Sequence, residues 1–345
     1  MKIIIDAMGG DNAPQSTVEG AVLAAREFGA DMVLVGQEKA ILACLEKAGA
    51  GDVTGKIEVV NAPQVIDMCD SATSVTKEKK DSSLAVALRM LGEGGGDALV
   101  SGGNTGAVLV GSTMFVKRIK GIRRAALAPM LPTAKGYSLL IDCGANVECT
   151  PEYMLQFAYM GAYYCKRQLN IANPSVGLLN NGAEASKGTP MLRETYALLK
   201  QADAAGRINF GGNIEGRDVA FGATDIVLCD GFTGNVLLKT YEGVGMYFAG
   251  EMKKMFKKNL LGNLAALLVK SSLGEFKKKM DYKEVGGAPL LGISKPVIKA
   301  HGSSDGRAFK SAIGQAVQYA SSGIIGNIVE NIEHMTLESK PLEKN

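Results

Sequence analysis

Short apolar, β-branched runs alternate with helix-length amphipathic segments along the chain. The runs Lys2–Asp6, Asp31–Val35, Ile57–Val60, Asp97–Ser101, Tyr137–Asp142, Ser175–Leu179, Ile208–Phe210 and Asp225–Cys229 predict strands. Between them, Gln15–Phe28, Glu38–Gly49, Ser82–Gly92, Thr105–Lys117, Glu152–Cys165 and Met191–Ala204 predict helices. Alternation at this spacing predicts a three-layer αβα fold, its mostly parallel sheet covered on both faces. Ligands of such sheets collect at the carboxyl ends of the strands, so the loops that follow strands are the places to look for chemistry.

Those loops share one composition, small residues with Asp, Asn and Thr. They are DAMGGDNAP (6–14), GGNTGA (102–107), CGANVEC (143–149), NNGAEASKG (180–188), GGNIEG (211–216) and DGFTGN (230–235), and they are expected to converge on one sheet edge. Glycine is abundant, 43 of 345 residues without a fixed period, as expected where backbone approaches a ligand closely. A chain of 345 residues exceeds the size at which single cores stop growing, about 250–300. Without a repeat or a Pro/Ser-rich linker, residues 1–345 are expected to form a single two-lobed α/β domain.

Net charge is only +3, too small to point to nucleic acid. It is unevenly spread: residues 250–283 hold nine lysines and three acids, and this segment is the one break in composition. MKIIIDAMGGD has the pattern of neither a signal peptide nor an anchor. Ala98–Val116, the longest hydrophobic-looking uncharged stretch, is too rich in Gly, Ser, Thr and Asn to span a membrane. Cysteines fall at 44, 69, 143, 149, 165 and 229 with no C-x-x-C pair, and neither His301 nor His334 lies near one. Structural zinc and a disulfide framework are therefore not expected; reduced, mostly buried thiols of a cytoplasmic protein are.

Ser101, Gly102, Gly103, Asn104, Thr105 and Gly106 follow a strand and open a helix. Backbone N–H groups there suit a phosphate or another oxyanion, and Asn104 or Thr105 would cap the helix in any case. Nucleotide fingerprints are missing: these glycines do not make G-x-G-x-x-G, and Lys187-Gly188-Thr189 is in the wrong order for a phosphate loop. Asn180 and Lys187 stand on another strand-to-helix loop. A cation beside a helix N-terminus is out of place unless an anion sits there. Asp230 and Asn235 serve as turn residues or as polar groups aimed at the same site. In His301-Gly-Ser303-Ser304-Asp305 the expected reading is a helix cap by Ser303 or Ser304, with His301 as proton donor or anion contact. Cys143 and Cys149 as nucleophiles would need a partner histidine.

DAMGGDNAP, SGGNTGA, IDCGANVE, LLNNGAEASKG, DGFTGNVLLK and GAPLLGI…KPVIKAHGSSD, in that order, resemble the bacterial acyl-acyl-carrier-protein:phosphate acyltransferase family. The resemblance runs from Lys2 to about Asn327. Ala125, Asn181 and Glu148 stand where the family usually has a proline, an aliphatic residue and an aspartate. It implies a fold similar to phosphotransacetylase and to isocitrate and isopropylmalate dehydrogenases, and a homodimer. It also implies conversion of acyl-ACP and inorganic phosphate into acyl phosphate, the substrate of the membrane glycerol-3-phosphate acyltransferase, with no cofactor and no metal. Direct attack within a ternary complex follows: Lys187 and the 101–106 loop hold phosphate, Asn180 and Asn235 polarise the thioester carbonyl, and His301 assists the phosphate or the leaving group. Asp6, Gly9, Asp11, Asn146, Asp230, Ser303 and Asp305 are expected to line the substrate site.

An acidic carrier protein needs a basic docking patch, for which Arg118, Lys120, Arg123 and Arg124 are the candidates. The run Asn259–Val269, about 16 Å long as a helix, is half of a roughly 30 Å hydrocarbon core. Broken at Gly262 and at 271–274 into a hairpin, the insertion 250–283 would expose Leu260, Leu261, Leu264, Leu267 and Leu268 between lysines, as a membrane-surface element or as part of a dimer interface. A protein at the cytoplasmic face of the membrane is expected. An enzyme of the same fold acting on coenzyme A thioesters or a nicotinamide cofactor, and a non-catalytic membrane-surface scaffold, remain as alternatives.

Overall fold

A computed structural model describes residues 1–271, 274 and 286–336 of the chain. Its strands are β1 (Lys2–Asp6), β2 (Asp31–Gly36), β3 (Ile57–Asn61), β4 (Ala98–Ser101), β5 (Ala126–Leu127), β6 (Met130–Thr133), β7 (Gly136–Ile141), β8 (Ser175–Asn180), β9 (Asn209–Glu215), β10 (Ile226–Leu228), β11 (Gly287–Leu291) and β12 (Val297–Ala300). They form two sheets, in the orders β3-β2-β1-β4-β12-β11-β5 and β6-β7-β10-β8-β9. Pairing is parallel except at β11 and β6, where β11 runs antiparallel to both β12 and β5 and β6 antiparallel to β7. The expected α/β class holds, with its loops divided between two sheets instead of gathered on one edge.

The parallel strands are apolar on both faces, as doubly covered strands must be: Ile3, Ile4 and Ile5 of β1 and Met32–Val35 of β2 are wholly buried. One core joins the sheets, with Ile3 and Ile5 in the same cluster as Phe157, Met160 and Ile226. The chain passes from one sheet to the other at Ala128 and Pro129, between β5 and β6. These two short strands escape sequence reading because prolines at 129 and 132 interrupt the run, and Pro suits edge positions.

Three expectations are corrected. GGNIEG is not a loop but most of β9, an edge strand whose pairing with β8 shifts register at Val176/Gly177. Gly212, at φ +98°, takes up that irregularity, which is what glycine in a strand commonly marks. The helix begun at Thr105 is regular only to Gly111; a π-helical turn carries it to Val116, where Lys117 at φ 73° ends it. The lysine-rich insertion bends at 257–259, between the helices Gly231–Phe256 and Leu260–Leu268, not at Gly262. Asn259 caps the second helix by accepting from the Gly262 N–H, and a Cβ on Gly262 would lie 2.6 Å from the Phe256 carbonyl oxygen. That glycine lets the helices close, and the capping residue turns the chain. The expected break at 271–274 and the rest of the segment to 283 lie largely outside the described residues.

The helices Gln15–Phe28 and Gly306–Ser321 cover one face of the seven-stranded sheet and touch at Gly20, where a Cβ would lie 2.5 Å from Phe309 Cβ and 2.9 Å from the Gly306 carbonyl. Gly20→Ala is therefore expected to lower unfolding free energy by about 1–3 kcal/mol through overpacking, despite alanine's better helix propensity. Gly55→Ala, at a position open to solvent, should stay within about 0.5 kcal/mol of the parent. Urea unfolding of the two variants measures the difference.

Candidate active site

Loops from the two sheets face each other. On the seven-stranded side, β1 leads into the 6–14 loop, β4 into Gly102–Gly106 and β12 into His301–Asp305. They are pressed together: the Asp11 amide donates to the Gly302 carbonyl at 2.8 Å, and Asn12 Nδ2 to the Ser303 carbonyl at 3.3 Å. A Cβ on Gly9 would fall 2.8 Å from the Gly103 nitrogen, so this approach requires glycine. Asn104 caps the helix Thr105–Gly111 through the Ala107 amide and also donates to the carbonyls of Met68 and Asp70. The first two amides of the helix, of Thr105 and Gly106, have no intrahelical acceptor.

Asp6 is buried at the root of this loop set and receives hydroxyl hydrogen bonds from Ser83 at 2.6 Å and Ser101 at 2.7 Å. Burial raises its pKa against the pull of those two donors. Lys299, also buried, has its pKa pushed down to about 8 by desolvation, with Asp6 and Asp11 opposing. Sequence reading missed both Ser83 and Lys299. The signal was a lone lysine in the run Val297–Ala300, whose other residues are all apolar.

His301 Nδ1 accepts the Ser303 amide at 3.2 Å and lies 2.9 Å from Ser303 Oγ, which places the proton of the neutral ring on Nε2. Burial lowers its pKa from the ordinary value. The helix cap is Asp305, accepting from Ala308 at 3.0 Å, and neither Ser303 nor Ser304; a carboxylate is the stronger partner for a helix start. Ser304 Oγ is buried without a partner among the described residues.

On the five-stranded side, the buried carboxylate of Asp142 accepts from the amides of Leu127, Cys143 and Asn146 and from Asn146 Nδ2. Asn146 also donates to the Ala125 carbonyl, so it braces this loop. The helix Gly231–Phe256 starts against it. Asp230 caps that helix through the Thr233 amide and hydroxyl. A Cβ on Gly231 would lie 2.6 Å from the Asn146 carbonyl oxygen, so the helix can start here only with glycine. Asn235, one turn on, is exposed beside Gly144, and its carboxamide has no partner among the described residues. Asn180 spends its carboxamide on its own loop, accepting from Asn181 and donating to the Lys187 carbonyl, and so orders the segment that carries Lys187. The Lys187 stem lies over Gly182, and its ammonium makes no ion pair among the described residues.

The sides meet electrostatically. His301 feels Glu242 and Lys239 of the helix Gly231–Phe256, and Lys299 feels Lys239. Lys239, paired with Glu242 at 2.8 Å, was also missed, although it ends the DGFTGNVLLK run. Of the docking candidates, all four are exposed; Arg123 pairs with Glu152 at 3.1 Å and Arg124 stacks over Tyr153, whereas Arg118 and Lys120 make no salt bridge among the described residues. Among the described residues no cluster of three His, Cys, Asp or Glu could hold a metal, and no helix is long and apolar enough to cross a membrane.

Solved structures share this architecture. A phosphotransacetylase from Streptococcus pyogenes superposes with a TM-score of 0.65 at 18% identity, covering 93% of this chain and 94% of that one. A branched-chain phosphotransacylase from Enterococcus faecalis gives 0.55 at 15% identity. The fold is thus that of the phosphotransacylases. In sequence, residues 1–327 match the family described as "Fatty acid synthesis protein". The chain is 45% identical over 335 residues to a phosphate acyltransferase of Alkaliphilus oremlandii, covering 97% of this chain and 98% of the relative. It is 42% identical over 343 residues to one of Clostridioides difficile, covering 99% and 98%. The chain belongs to this family of phosphate acyltransferases.

The thiols near the site are poor nucleophiles. Burial, reinforced by the Asp142 charge, pushes Cys143 and Cys149 up to about 12. With iodoacetamide at pH 8, Cys69, which is exposed, should alkylate first, while Cys143 and Cys229 react only after denaturation. Peptide mass spectrometry over time reads the order; early modification of Cys143 in folded protein would contradict the buried-thiol assignment.

Proposed function

We propose that the chain transfers a fatty acyl group from acyl carrier protein to inorganic phosphate, giving an acyl phosphate for phosphatidic acid and phospholipid synthesis. The observation that carries this reading is an exposed lysine, Lys187, unpaired among the described residues on the loop that follows β8, in a chain 45% identical to a phosphate acyltransferase over nearly its full length. Phosphate, held by Lys187 and by the amides of Thr105 and Gly106, attacks the thioester carbonyl carbon with one oxygen. Near pH 7 it is already partly dianionic, since phosphoryl second pKa values lie around 6–7, and it needs no strong base. The carbonyl oxygen gathers charge and is met by the Asn235 carboxamide. The C–S bond breaks as the C–O bond forms, and the proton of the attacking phosphate ends on the departing thiolate, whose pKa is near 8.5. Neutral His301 offers its Nε2–H to phosphate as a hydrogen-bond donor. Raised cysteine pKa values favour this direct route over an acyl-enzyme.

Arg118, Lys120, Arg123 and Arg124 would steer the acidic carrier protein. The tip leucines would rest in an anionic membrane surface, close to the integral membrane enzyme that consumes the product. Leu261, Leu264, Leu267 and Leu268 are 77%, 55%, 67% and 81% exposed, and lysines flank them. The same residues could instead meet a second subunit, and the tests below separate the two.

Incubation with acyl-ACP and phosphate, followed by hydroxylamine trapping, should yield acyl hydroxamate only when both substrates are present. Lys187→Ala should lower turnover at least about 100-fold, on the scale of removing one charge-stabilising donor, with little change in Tm because an exposed charge contributes little to folding. Normal phosphate saturation in that variant would remove Lys187 from the mechanism.

Leu264→Glu combined with Leu268→Glu should release the protein from anionic liposomes in a sedimentation assay, leaving it dimeric and active on soluble acyl-ACP. Inactive monomers would instead assign these leucines to the subunit interface.

A further inference from the structure

Three adjacent strands carry polar residues in one register row at or next to their carboxyl ends. Asp6 of β1 stands opposite Ser101 of β4, and Ser101 stands opposite Lys299 of β12. All three are buried, Lys299 to 7% exposure, between apolar neighbours. A lysine is almost never this buried without partners, and an apolar side chain would fill the slot with far less desolvation. What the ammonium holds is therefore informative. It donates to the Ala300 carbonyl at 2.5 Å and, reaching out of its own strand, to the Gly102 carbonyl at 3.2 Å.

The other end of the same peptide group is held as well. The Gly103 N–H donates to Ser101 Oγ at 3.1 Å, Ser101 donates to Asp6 at 2.7 Å, and the second Asp6 oxygen takes the Ser83 hydroxyl at 2.6 Å. The Gly102–Gly103 peptide is thus gripped at its carbonyl by a cation and at its amide by a hydroxyl backed by a carboxylate. Neither residue has a side chain to resist rotation of that peptide. Any rotation would displace the start of the helix at Thr105, two residues on.

We infer that Lys299 is a positioning residue for phosphate: by pinning the Gly102 carbonyl it fixes the turn that presents the Thr105 and Gly106 amides to the cleft. The inference rests on the phosphate reading of that loop. Lys299 itself does not touch the reacting atoms. The charged groups that face it are Asp6 on β1, Asp11 on the following loop and Lys239 across the cleft.

The test is Lys299→Met, which keeps the length of the side chain and removes the ammonium, assayed by hydroxylamine trapping with phosphate and acyl-ACP varied separately. The phosphate KM should rise at least about tenfold while the KM for acyl-ACP stays unchanged, the mark of a lost ground-state contact on one substrate only. The Tm increase that phosphate gives the parent protein should shrink in parallel. Ser101→Ala frees the amide end of the same peptide without removing a charge and should give the same selective phosphate defect, so the idea stays testable if Lys299→Met does not fold. A folded variant with a parental phosphate KM, or with both KM values raised equally, overturns the role. A parent protein that makes no acyl phosphate overturns the proposed function instead. The phosphate-induced Tm shift then still compares parent and variant, and if phosphate shifts neither, the role of Lys299 falls too.

Discussion

The junction between the two sheets depends on one buried carboxylate. Asp142, at the end of β7, gathers the amide of Leu127, the last residue of β5 in the other sheet, together with the amides of its own Cys143–Asn146 loop. The bond from Cys143 is buried and the others partly so, and a buried donor left without an acceptor costs about 1–3 kcal/mol. A single side chain therefore satisfies the point where the chain leaves one sheet for the other. The helix Gly231–Phe256 can start there only because the same loop is held flat enough for Gly231 and Gly234 to lie against it.

From that junction the cleft acquires two unlike walls. The seven-stranded side supplies backbone amides on a turn that a buried ammonium pins by its carbonyl. The five-stranded side supplies exposed polar groups, Lys187, Asn235 and Lys239. In the proposed acyl transfer, the fixed amides of one wall orient phosphate, while Lys187 reaches the same anion and Asn235 the acyl carbonyl from the other.

Much of this could be read from the residue pattern because parallel strands carry strong signatures: continuous apolar runs, followed by turns of glycine and small polar residues. The loops at 6–14, 102–107, 143–149, 180–188 and 230–235 all sit at strand ends. The readings that failed did so where local pattern and tertiary context disagree. Gly211 and Gly212 look like a turn but lie in an edge strand, where a bulge tolerates them. Asp305 outcompetes two neighbouring serines for the cap because its charge meets the helix dipole. Lys299 gave no periodic signal, since its burial depends on carbonyls from a loop nearly two hundred positions away in sequence, and no window along the chain contains both.

The glycines at the cleft also set how this protein can change over generations. A methyl group at Gly9, Gly102, Gly231 or Gly234 would strike backbone or a buried carboxylate. Random substitution is therefore eliminated at these positions whatever the new side chain's chemistry. At the leucine-bearing tip, by contrast, Leu261, Leu264, Leu267 and Leu268 are each more than half exposed, and substitutions there disturb the packed core little. Drift is thus channelled away from the reaction and toward the surfaces that meet other molecules. A lineage of such proteins could track a changing partner or lipid composition while its chemistry stays fixed.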